Sequence, residues 1–530
     1  MGDSEGKAAL FLSVYESILK SREVDLLEQD YTQRGEAFFH VSGSGHENIA
    51  FLNPHLIPDD YLHCHYRDKS LMIARGVTVR QFFLSLFAKD QSHSRGRQMS
   101  AHLSDPAHKV LSLVGPVGNN ALQAVGVASV VKDKATKPLV LCALGEGTSQ
   151  QGEVLEAVAH AVRETLPVLF VIEDNQWAIS TKTGGRTFYN RPDGEATEFY
   201  GIPIVRVDGR DAEATYETFG RIVAQMRQDR KPALVVFQVK RLNSHTNADD
   251  HRTYRTAEEI EETRKKDDPI PKLRSWLEAH GVAAKDLDAL EARTKTQVLA
   301  DSIDAQDSPD PQPNFDAKAP LPPGLADTAR EYRGNGEGDQ ITMLEAMREV
   351  LRNRLSWDPN VTLFGEDIED PKGDVFGVTK GLSQAFPGRV KNSPLAESTI
   401  VGVAVGQALA GARPVGFLQF ADFFAIAYNQ IFAELGSMHW RTDGGWTAPV
   451  ILMVSCGGFK PGLGPFHASS MESTAAHTPG IDVFLPATAG DAAGLLNAAF
   501  ESKRPTIFFY PKSCLNDRSQ ATSRDVARQM

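Results

Sequence analysis

The chain contains 530 residues, more than one ordinary domain holds, and this length predicts about two to four domains. A net charge of −12 and a pI of about 5.7 argue against a protein that binds nucleic acid or an anionic membrane through its overall field. No apolar run is long enough to span a membrane, and the four cysteines form no paired motif, so we expect a cytoplasmic protein.

Apolar runs alternate with helical patterns along residues 1–300. Short continuous runs of Val, Ile, Leu and Phe are typical of strands buried on both faces of a parallel sheet. Strands are predicted in the segments PLVLCAL, PVLFVIED, IPIVRVDG and ALVVFQVKR, which begin at residues 138, 167, 202 and 233. Residues 255–300 carry a helical pattern whose charges we interpret as a solvated face. We therefore expect one α/β domain over residues 1–300.

A segment rich in Pro and Asp, residues 301–339, interrupts this alternation. Its composition cannot bury enough apolar surface to offset the ordering entropy, so it predicts an extended linker. The alternation then resumes over residues 340–530, which predicts a second α/β domain. Its strands are expected in VTLFGED, RPVGFLQF, PVILMVSCGG, DVFLPA and PTIFFYPK, and its helices in ITMLEAMREVLRNRL and DAAGLLNAAFESK.

The stretch LGEGTSQQGE, residues 144–153, puts an acidic residue between two glycines, after one predicted strand and before a helix. At the end of the next predicted strand lies EDNQWAIS, residues 173–180. Ligands of open α/β sheets bind at such strand ends, where helix N-termini favour anions. Oxygen atoms of Glu146 and Asn175 would suit Mg²⁺ that bridges to a diphosphate. The alternative is two ordinary polar loop tips.

The segment from Gly145 to Thr181 resembles the thiamine-diphosphate signature of the E1 component of 2-oxoacid dehydrogenases, which belongs to the transketolase-like superfamily. Glu146 stands where that family usually has Asp, and Asp174 stands where it usually has Asn. The resemblance implies thiamine diphosphate and Mg²⁺ as cofactors. It implies contacts to the cofactor from Gly145 and Gly147, and three metal ligands: Glu146, Asn175 and the backbone carbonyl of Trp177.

Other first-half motifs resemble the α subunit of the same family. HYRD places Tyr66 and Arg67 near the diphosphate, which a bidentate guanidinium suits. GPVGNN places Val117 as the apolar wedge that bends the cofactor, with core packing as the alternative. LNSHTNADDHRTYR places His245 at a catalytic and cofactor-contacting position, with a structural histidine as the alternative.

The second half resembles the family's β subunit. PLAEST places Glu397 opposite the aminopyrimidine ring, where a carboxyl group would promote proton transfer, and a helix-start glutamate is the alternative. QFADFF places Gln419 and Phe423 on the substrate and pyrimidine side. GLGPFHASSMES places His467 on a catalytic histidine, although HASS replaces the family's HSQS and puts substrate choice in doubt.

The resemblance implies an α/β fold with two thiamine-diphosphate-binding domains, each a parallel sheet flanked by helices, joined by the Pro- and Asp-rich linker. It implies an E1-like enzyme that decarboxylates a 2-oxoacid, breaking the C–C bond next to its ketone. The acyl or two-carbon unit would pass to a lipoyl-bearing E2-like partner. The α and β halves are fused here, and a homodimer would match the usual two-α, two-β assembly.

Two alternatives remain at the level of the sequence. The chain ends where a further β-subunit domain would begin, and we expect the partner protein to carry that domain. Fused chains of this kind also resemble proteins that cleave a ketose phosphate as transketolase does and deliver a glycolyl unit to a lipoyl or acyl-carrier partner in natural-product biosynthesis. A non-catalytic remnant or scaffold is the other alternative.

Overall fold

The computed structural model describes residues 2–313, 323–332, 334–461 and 463–528. The chain forms two compact units. One comprises Met1–Pro313 with Trp440–Trp446, and the other comprises Asn314–His439 with Thr447–Met530. Residues 314–322 of the predicted linker lie outside the described residues.

The first unit contains a six-stranded sheet with the order β1-β2-β3-β10-β9-β8, in which only the β8–β9 pair is antiparallel. Its strands are β1 Tyr61–His63, β2 Val140–Gly145, β3 Val168–Asp174, β8 Glu198–Phe199, β9 Ile202–Asp208 and β10 Ala233–Gln238. Two short hairpins lie between β3 and β8; they pair β4 Trp177–Ala178 with β5 Thr181–Lys182, and β6 Asn190–Arg191 with β7 Gly194–Glu195.

Nine helices accompany this sheet in the described part of the first half. They are α1 Gly2–Gln33, α2 Lys69–Arg75, α3 Val79–Leu86, α4 Asn119–Val131, α5 Gly152–Glu164, α6 Ala212–Asp229, α7 Ala257–Asp267, α8 Pro269–Ala279 and α9 Ala284–Gln306. The charged segment 255–300 is helical as predicted, and four of its five leucines pack inward while most of its charges face solvent. Helix α9 continues to Gln306, past the predicted start of the linker, because Ser302 and Ala305 are still buried on its inner face.

The four strands predicted in the first half are confirmed. Every residue of β2 and β3 is buried, because β2 lies between β1 and β3, and β3 lies between β2 and β10. Register pairs Gly145 with Glu173, so the loops that carry Glu146 and Asn175 leave the sheet side by side. Strand β1 escaped prediction, because three residues with a histidine make no apolar run.

The second unit contains a six-stranded sheet with the order β13-β12-β14-β15-β17-β16, in which every pair is parallel. Its strands are β12 Val361–Gly365, β13 Val390–Asn392, β14 Arg413–Leu418, β15 Ile451–Cys456, β16 Asp482–Phe484 and β17 Thr506–Pro511. A separate antiparallel pair joins β11 Gln340–Ile341 and β18 Thr522–Ser523.

Helices α10 to α16 belong to the chain after residue 322. They are α10 Pro323–Ala326, α11 Met343–Trp357, α12 Leu382–Ala385, α13 Glu397–Leu409, α14 Met438–Arg441, α15 Glu472–Ala476 and α16 Ala489–Ser502. A reciprocal cap begins α11: Thr342 accepts from the Glu345 backbone N–H, and the Glu345 carboxylate accepts from the Thr342 N–H. Helix α13 is buried on nearly all sides, as its apolar sequence requires.

The predicted fold class is confirmed: two α/β units, each built on a mainly parallel sheet with helices packed against it. In the described ranges, none of the helices combines the length and the apolar character needed to cross a membrane.

Candidate functional site

Glu146 follows β2 directly and is only 2% exposed. Its carboxylate accepts a hydrogen bond from the Asn175 backbone N–H at 3.3 Å, and its own carbonyl accepts from the Ser149 hydroxyl at 2.6 Å. Burial raises the pKa of Glu146 to about 8. Within the described residues no lysine, arginine or histidine forms an ion pair with it, so burial disfavours the charged form of this acid.

The Asn175 side chain turns back onto its own loop. Its Oδ1 accepts from the Trp177 backbone N–H at 3.1 Å, and Gln176 between them has a φ of 71°. A carbonyl oxygen has two lone pairs, so Oδ1 keeps one for a further partner. The structure therefore brings Glu146, Asn175 and Trp177 onto one pair of adjacent loops, with oxygen donors of the kind that Mg²⁺ binds.

Arg67 lies in the same region, 2% exposed, and its charge contributes to the electrostatics of Glu146. Its guanidinium donates to the Ser42 carbonyl and, at 3.0 Å, to Nδ1 of His245. Burial and the Arg67 charge lower the pKa of His245 to about 4, so this imidazole is neutral near pH 7. The ring of Tyr66 lies 5.0 Å from the Arg67 guanidinium and 6.2 Å from the His245 ring. Three predicted residues thus contact one another.

A second buried guanidinium, that of Arg241, escaped the sequence analysis. It donates to the Ile179 carbonyl at 3.0 Å and to the Tyr254 hydroxyl at 2.6 Å. Neither Arg67 nor Arg241 forms an ion pair with a carboxylate in the part of the chain that the structure describes. Buried arginines of this kind suit an anionic ligand, because the ligand would supply the missing negative charge.

Glu173, the last residue but one of β3, organises a buried network behind Asn175. It accepts from His46 Nδ1 at 2.5 Å, and it lies 3.6 Å from His65 Nδ1. Burial raises the pKa of Asp68 well above its usual range, and the neighbouring Glu173 carboxylate raises it further. Burial alone would raise the pKa of Glu173 too, but His65 and the His46 hydrogen bond hold it well below its usual range.

This network fixes a tautomer. Burial lowers the pKa of His46 to about 4, so the ring is neutral, and it donates its Nδ1 proton to Glu173. Its Nε2 is then an acceptor, and it faces the Asn175 amide nitrogen at 3.5 Å. This contact sets which end of the Asn175 amide is nitrogen, and so aims Oδ1 away from His46.

Two buried clusters have the residue types of metal sites. His46, His65 and Glu173 hold ligand atoms within 4.8 Å of one another, but the 2.5 Å contact of His46 with Glu173 is shorter than the roughly 3 Å that separates two ligands on one zinc ion. Asp25, Glu28 and His40 form the other cluster, and the Lys69 ammonium donates to both of its carboxylates. We therefore interpret both clusters as hydrogen-bond networks that support the neighbouring loops.

Three further predicted residues flank this region. Val117 is 37% exposed, so the alternative that it is a core residue is wrong. A Cβ built on Gly147 would lie 2.8 Å from the Ala178 side chain, which explains the glycine at this close approach of the two loops. Gly145 is buried against His65, where a Cβ would lie 3.3 Å from Nε2.

In the second unit, Glu397 is the first residue of α13 and is buried. The helix dipole favours a negative charge at this position, as the structural alternative required. Burial and the neighbouring Glu397 raise the pKa of Glu366 to about 7. Two carboxyl groups therefore share this buried corner, and sequence reasoning identified only one of them.

Phe423 and His467 lie on one aromatic cluster of the second unit. The His467 ring packs edge-on against Phe420 at 5.1 Å and against Phe423 at 5.9 Å. The side-chain amide of Gln419 donates to Asp367 at 3.1 Å, and its backbone carbonyl accepts from the Ser455 hydroxyl. Of the four residues predicted in the second half, Phe423 and His467 therefore contact each other. Glu397 lies beside Glu366, and Gln419 is hydrogen-bonded to Asp367.

Sequence reasoning missed the residues whose roles depend on distant partners. His46 and Glu173 are 127 positions apart along the chain. An available signal was an acidic residue at position 173 inside an otherwise apolar strand, which needs a buried partner.

Comparison with known proteins identifies a family for each half of the chain. The profile of the family described as "Dehydrogenase E1 component" matches residues 15–314, and the profile described as "Transketolase, pyrimidine binding domain" matches residues 339–517. The two matches coincide with the two halves that each contain a six-stranded sheet.

Three relatives show the range of similarity. The 2-oxoisovalerate dehydrogenase subunit beta of Bacillus subtilis (strain 168) is 37% identical over 173 residues, which is 32% of this chain and 52% of that protein. The mitochondrial 2-oxoisovalerate dehydrogenase subunit alpha 1 of Arabidopsis thaliana is 27% identical over 308 residues, 57% of this chain and 64% of that protein. The corresponding alpha subunit of Bacillus subtilis (strain 168) is 28% identical over 307 residues, 57% of this chain and 91% of that protein.

The chain spans about half the length of the β-subunit relative and less than two thirds of the plant α-subunit relative. The α-like match nevertheless covers more than half of this chain, and the β-like match follows it in the same polypeptide. By its sequence and its fold, the chain belongs to the dehydrogenase E1 component family, with an α-like and a β-like half fused in one chain.

Proposed function

We propose that this chain is a thiamine-diphosphate- and Mg²⁺-dependent E1-like enzyme that decarboxylates a 2-oxoacid. The observation that carries the proposal is a set of three buried ionisable side chains in the first unit that have no ion-pair partner. Glu146 forms no ion pair with a cation, and Arg67 and Arg241 form none with a carboxylate, within the described residues. A metal diphosphate would supply a cation for Glu146 and an anion for the two arginines.

The donor set fits that group. Glu146, the Asn175 amide oxygen and the Trp177 carbonyl would hold Mg²⁺, and the oxygen character of all three matches a hard cation. Tyr66, Arg67, His245 and the backbone at Gly145 and Gly147 would contact the diphosphate, and Val117 would support the cofactor's bend. Bound thiamine diphosphate supplies a carbon nucleophile and an electron sink, chemistry that no side chain provides.

The chain's own residues supply proton transfer and orientation. Glu397, with its carboxyl buried beside Glu366, would hold a proton toward the pyrimidine ring, and Gln419 and Phe423 would line that side. His245 is neutral at pH 7 and accepts from Arg67 at Nδ1, so its Nε2 carries the proton and would donate a hydrogen bond, and His467 would act on the substrate oxygen. The resulting acyl unit would pass to a lipoyl group on an E2-like partner.

A homodimer is part of the proposal. Large apolar side chains are exposed on the second unit, among them Ile426 and Phe432, which lie near each other along the chain after β14. Exposed apolar residues that cluster on a surface are typical of regions that a protein partner covers. Analytical ultracentrifugation of the full chain would give twice the monomer mass if a second copy covers them, and the monomer mass would refute this part.

A ketose phosphate is the competing substrate, because the second half matches a transketolase domain and its loop reads HASS around His467. The deciding experiment incubates the purified full chain with Mg²⁺, thiamine diphosphate and an artificial electron acceptor. We expect CO₂ release from 2-oxoisovalerate or pyruvate. Turnover of xylulose 5-phosphate without CO₂ from any oxoacid would replace the proposal by the transketolase-type reaction.

Isothermal titration calorimetry separates both reactions from the scaffold alternative. Thiamine diphosphate should bind only when Mg²⁺ is present, because Glu146, Asn175 and Trp177 would hold the metal and its charge would offset that of the diphosphate. Absence of any Mg²⁺-dependent binding would show a non-catalytic protein.

A further inference from the structure

Lys512 is a buried cation that the proposed chemistry leaves unused. It follows the last residue of β17 and is only 5% exposed, which is rare for a lysine. In the described residues no carboxylate forms an ion pair with it, although Asp422 lies near enough to favour its charged form electrostatically. Burying an ammonium group is costly unless its surroundings compensate the charge.

Two contacts compensate it, and both lead to His467. The Lys512 ammonium donates a hydrogen bond to the backbone carbonyl of His467. The same ammonium lies 4.8 Å from the centre of the Phe420 ring, a cation–π contact. Phe420 in turn packs edge-on against the His467 imidazole at 5.1 Å. The backbone and the ring of His467 are thus both held by a connected pair of residues outside its own loop.

The His467 loop, residues 457–461 and 463–470, has few means of holding itself in place. Gly457 and Gly464 have φ values of 71° and 67°, a backbone conformation that glycine adopts at a high entropic cost. Phe466, next to His467, is 70% exposed. The loop closes where the Gly457 N–H donates to Ser469 at 3.1 Å, and where the Ser469 N–H donates to Asp422 at 3.3 Å.

We propose that Lys512 is a positioning residue that holds the His467 loop against the end of strand β17. This inference rests on the proposed function, since His467 needs a fixed position only if it acts on a substrate. Lys512 does not touch the reacting atoms in this proposal; it acts through the His467 carbonyl and the Phe420 ring. The strand beneath it makes it a rigid anchor, because β17 pairs with β15 along six residues from Ile451–Thr506 to Cys456–Pro511.

The test compares three variants of the full chain by amide hydrogen exchange. Lys512→Met keeps the length and apolar stem of the side chain but removes the charge and the donor. Lys512→Arg keeps both. Lys460→Met is the matched control, because Lys460 also lies over a phenylalanine ring, that of Phe459 at 5.3 Å, but it is exposed on the same loop.

We expect Lys512→Met to speed exchange at the Gly457 and Ser469 amides about tenfold, the effect of losing one charged hydrogen bond. Lys512→Arg and Lys460→Met should exchange like the parent chain. Unchanged exchange at these amides in folded Lys512→Met would overturn the inference. An equal acceleration in β15 and β17 would overturn it as well, since that pattern reports general loosening.

Kinetics supply a second measurement. With 2-oxoisovalerate as the probe, Lys512→Met should lower kcat about tenfold with the Kd for thiamine diphosphate unchanged, and Lys512→Arg should restore most of it. A loss confined to cofactor affinity would contradict a positioning role. The exchange experiment needs no turnover, so a protein inactive on every oxoacid would refute the proposed function and still decide whether Lys512 holds the loop.

Discussion

The candidate residues of the two halves sit in contrasting surroundings. In the first unit, Glu146 and Arg67 are buried, and each has a partner that fixes its orientation. In the second unit Glu397 is buried as well, but His467 lies on an exposed loop and Phe423 is only half-buried. Buried polar groups must be organised when the chain folds, whereas a loop can be ordered later. The contrast suggests that the first half prepares binding and that the second half controls turnover.

The largest expected effect tests the turnover side. Glu397→Gln should lower turnover about 100- to 10,000-fold, because an amide cannot exchange the proton that a carboxyl group can. Binding of thiamine diphosphate, measured by calorimetry with Mg²⁺ present, should persist. Glu337→Gln, an exposed residue of the same half, is the control and should leave both quantities unchanged. If Glu397→Gln loses binding as severely as turnover, the division between the halves fails.

The role of the first half in cofactor binding is tested at Glu146, the predicted metal ligand. Glu146→Gln should weaken binding of Mn²⁺, used as a paramagnetic probe for the Mg²⁺ site, by at least about 100-fold, since even outer partners of metal ligands are worth 10- to 100-fold. Electron paramagnetic resonance measures the free Mn²⁺. Glu153→Gln in the same motif is the matched control. An unchanged Mn²⁺ affinity in Glu146→Gln would remove Glu146 from the metal site.

A smaller loss of Mn²⁺ affinity is expected from a residue that contacts the predicted metal ligand Asn175 rather than the metal. His46→Ala removes the acceptor that faces the Asn175 amide, so Asn175 can rotate, and Mn²⁺ affinity should fall about tenfold. His280→Ala, at the exposed end of α8, should have no effect. The same Mn²⁺ titration decides the matter, and an affinity equal to that of the parent chain would show that Asn175 keeps its orientation without His46.

The smallest expected effect is a pH-dependent change in stability from Asp374, a buried acid outside the candidate site. Burial raises the pKa of Asp374 from 3.8 to about 6, although three backbone N–H groups donate to it. Its protonated form is therefore favoured in the folded state, so its contribution to stability is fully present below about pH 4 and is lost as the pH rises through about 6.

Asp374→Asn removes this titration. The Tm of the variant minus that of the parent should therefore rise between about pH 5 and about pH 8, by an amount equivalent to about 1 kcal/mol or roughly 2–4 °C. Differential scanning calorimetry at the two pH values measures it. A difference that stays constant, or falls, across this range contradicts the raised pKa.

Much of the fold could be predicted from sequence because buried parallel strands are apolar throughout. The runs that became β2, β3, β15 and β17 are recognisable without any partner. Short strands such as β13, Val390–Asn392, carry no such pattern, since two of its three residues are exposed polar side chains. The end of α9 was also missed, because its last turns read as part of an Asp-rich segment.

The candidate site divides in the same way. Residues that lie in local motifs, such as Glu146 and Asn175, could be identified from residue type and spacing. Arg241 and Lys512 could not, since a basic residue at the end of a strand is usually solvated, and only the tertiary structure shows that both are buried. The pairing of His46 with Glu173 depends on how the fold brings the loop at His46 against strand β3, which no local pattern encodes.

Strand β17 pairs with β15 as far as Pro511, directly before Lys512, and this fixed end of the strand bears on which positions of the chain tolerate substitution. Among the described residues, Lys512, which follows β17, and Asp422 hold the His467 loop from outside it. Exposed positions of the loop such as Lys460 and Phe466 are therefore open to substitution while the imidazole keeps its place. A library varied at those positions alone should explore new substrate preferences at little risk to the fold, so they are the natural starting point for evolving this chain.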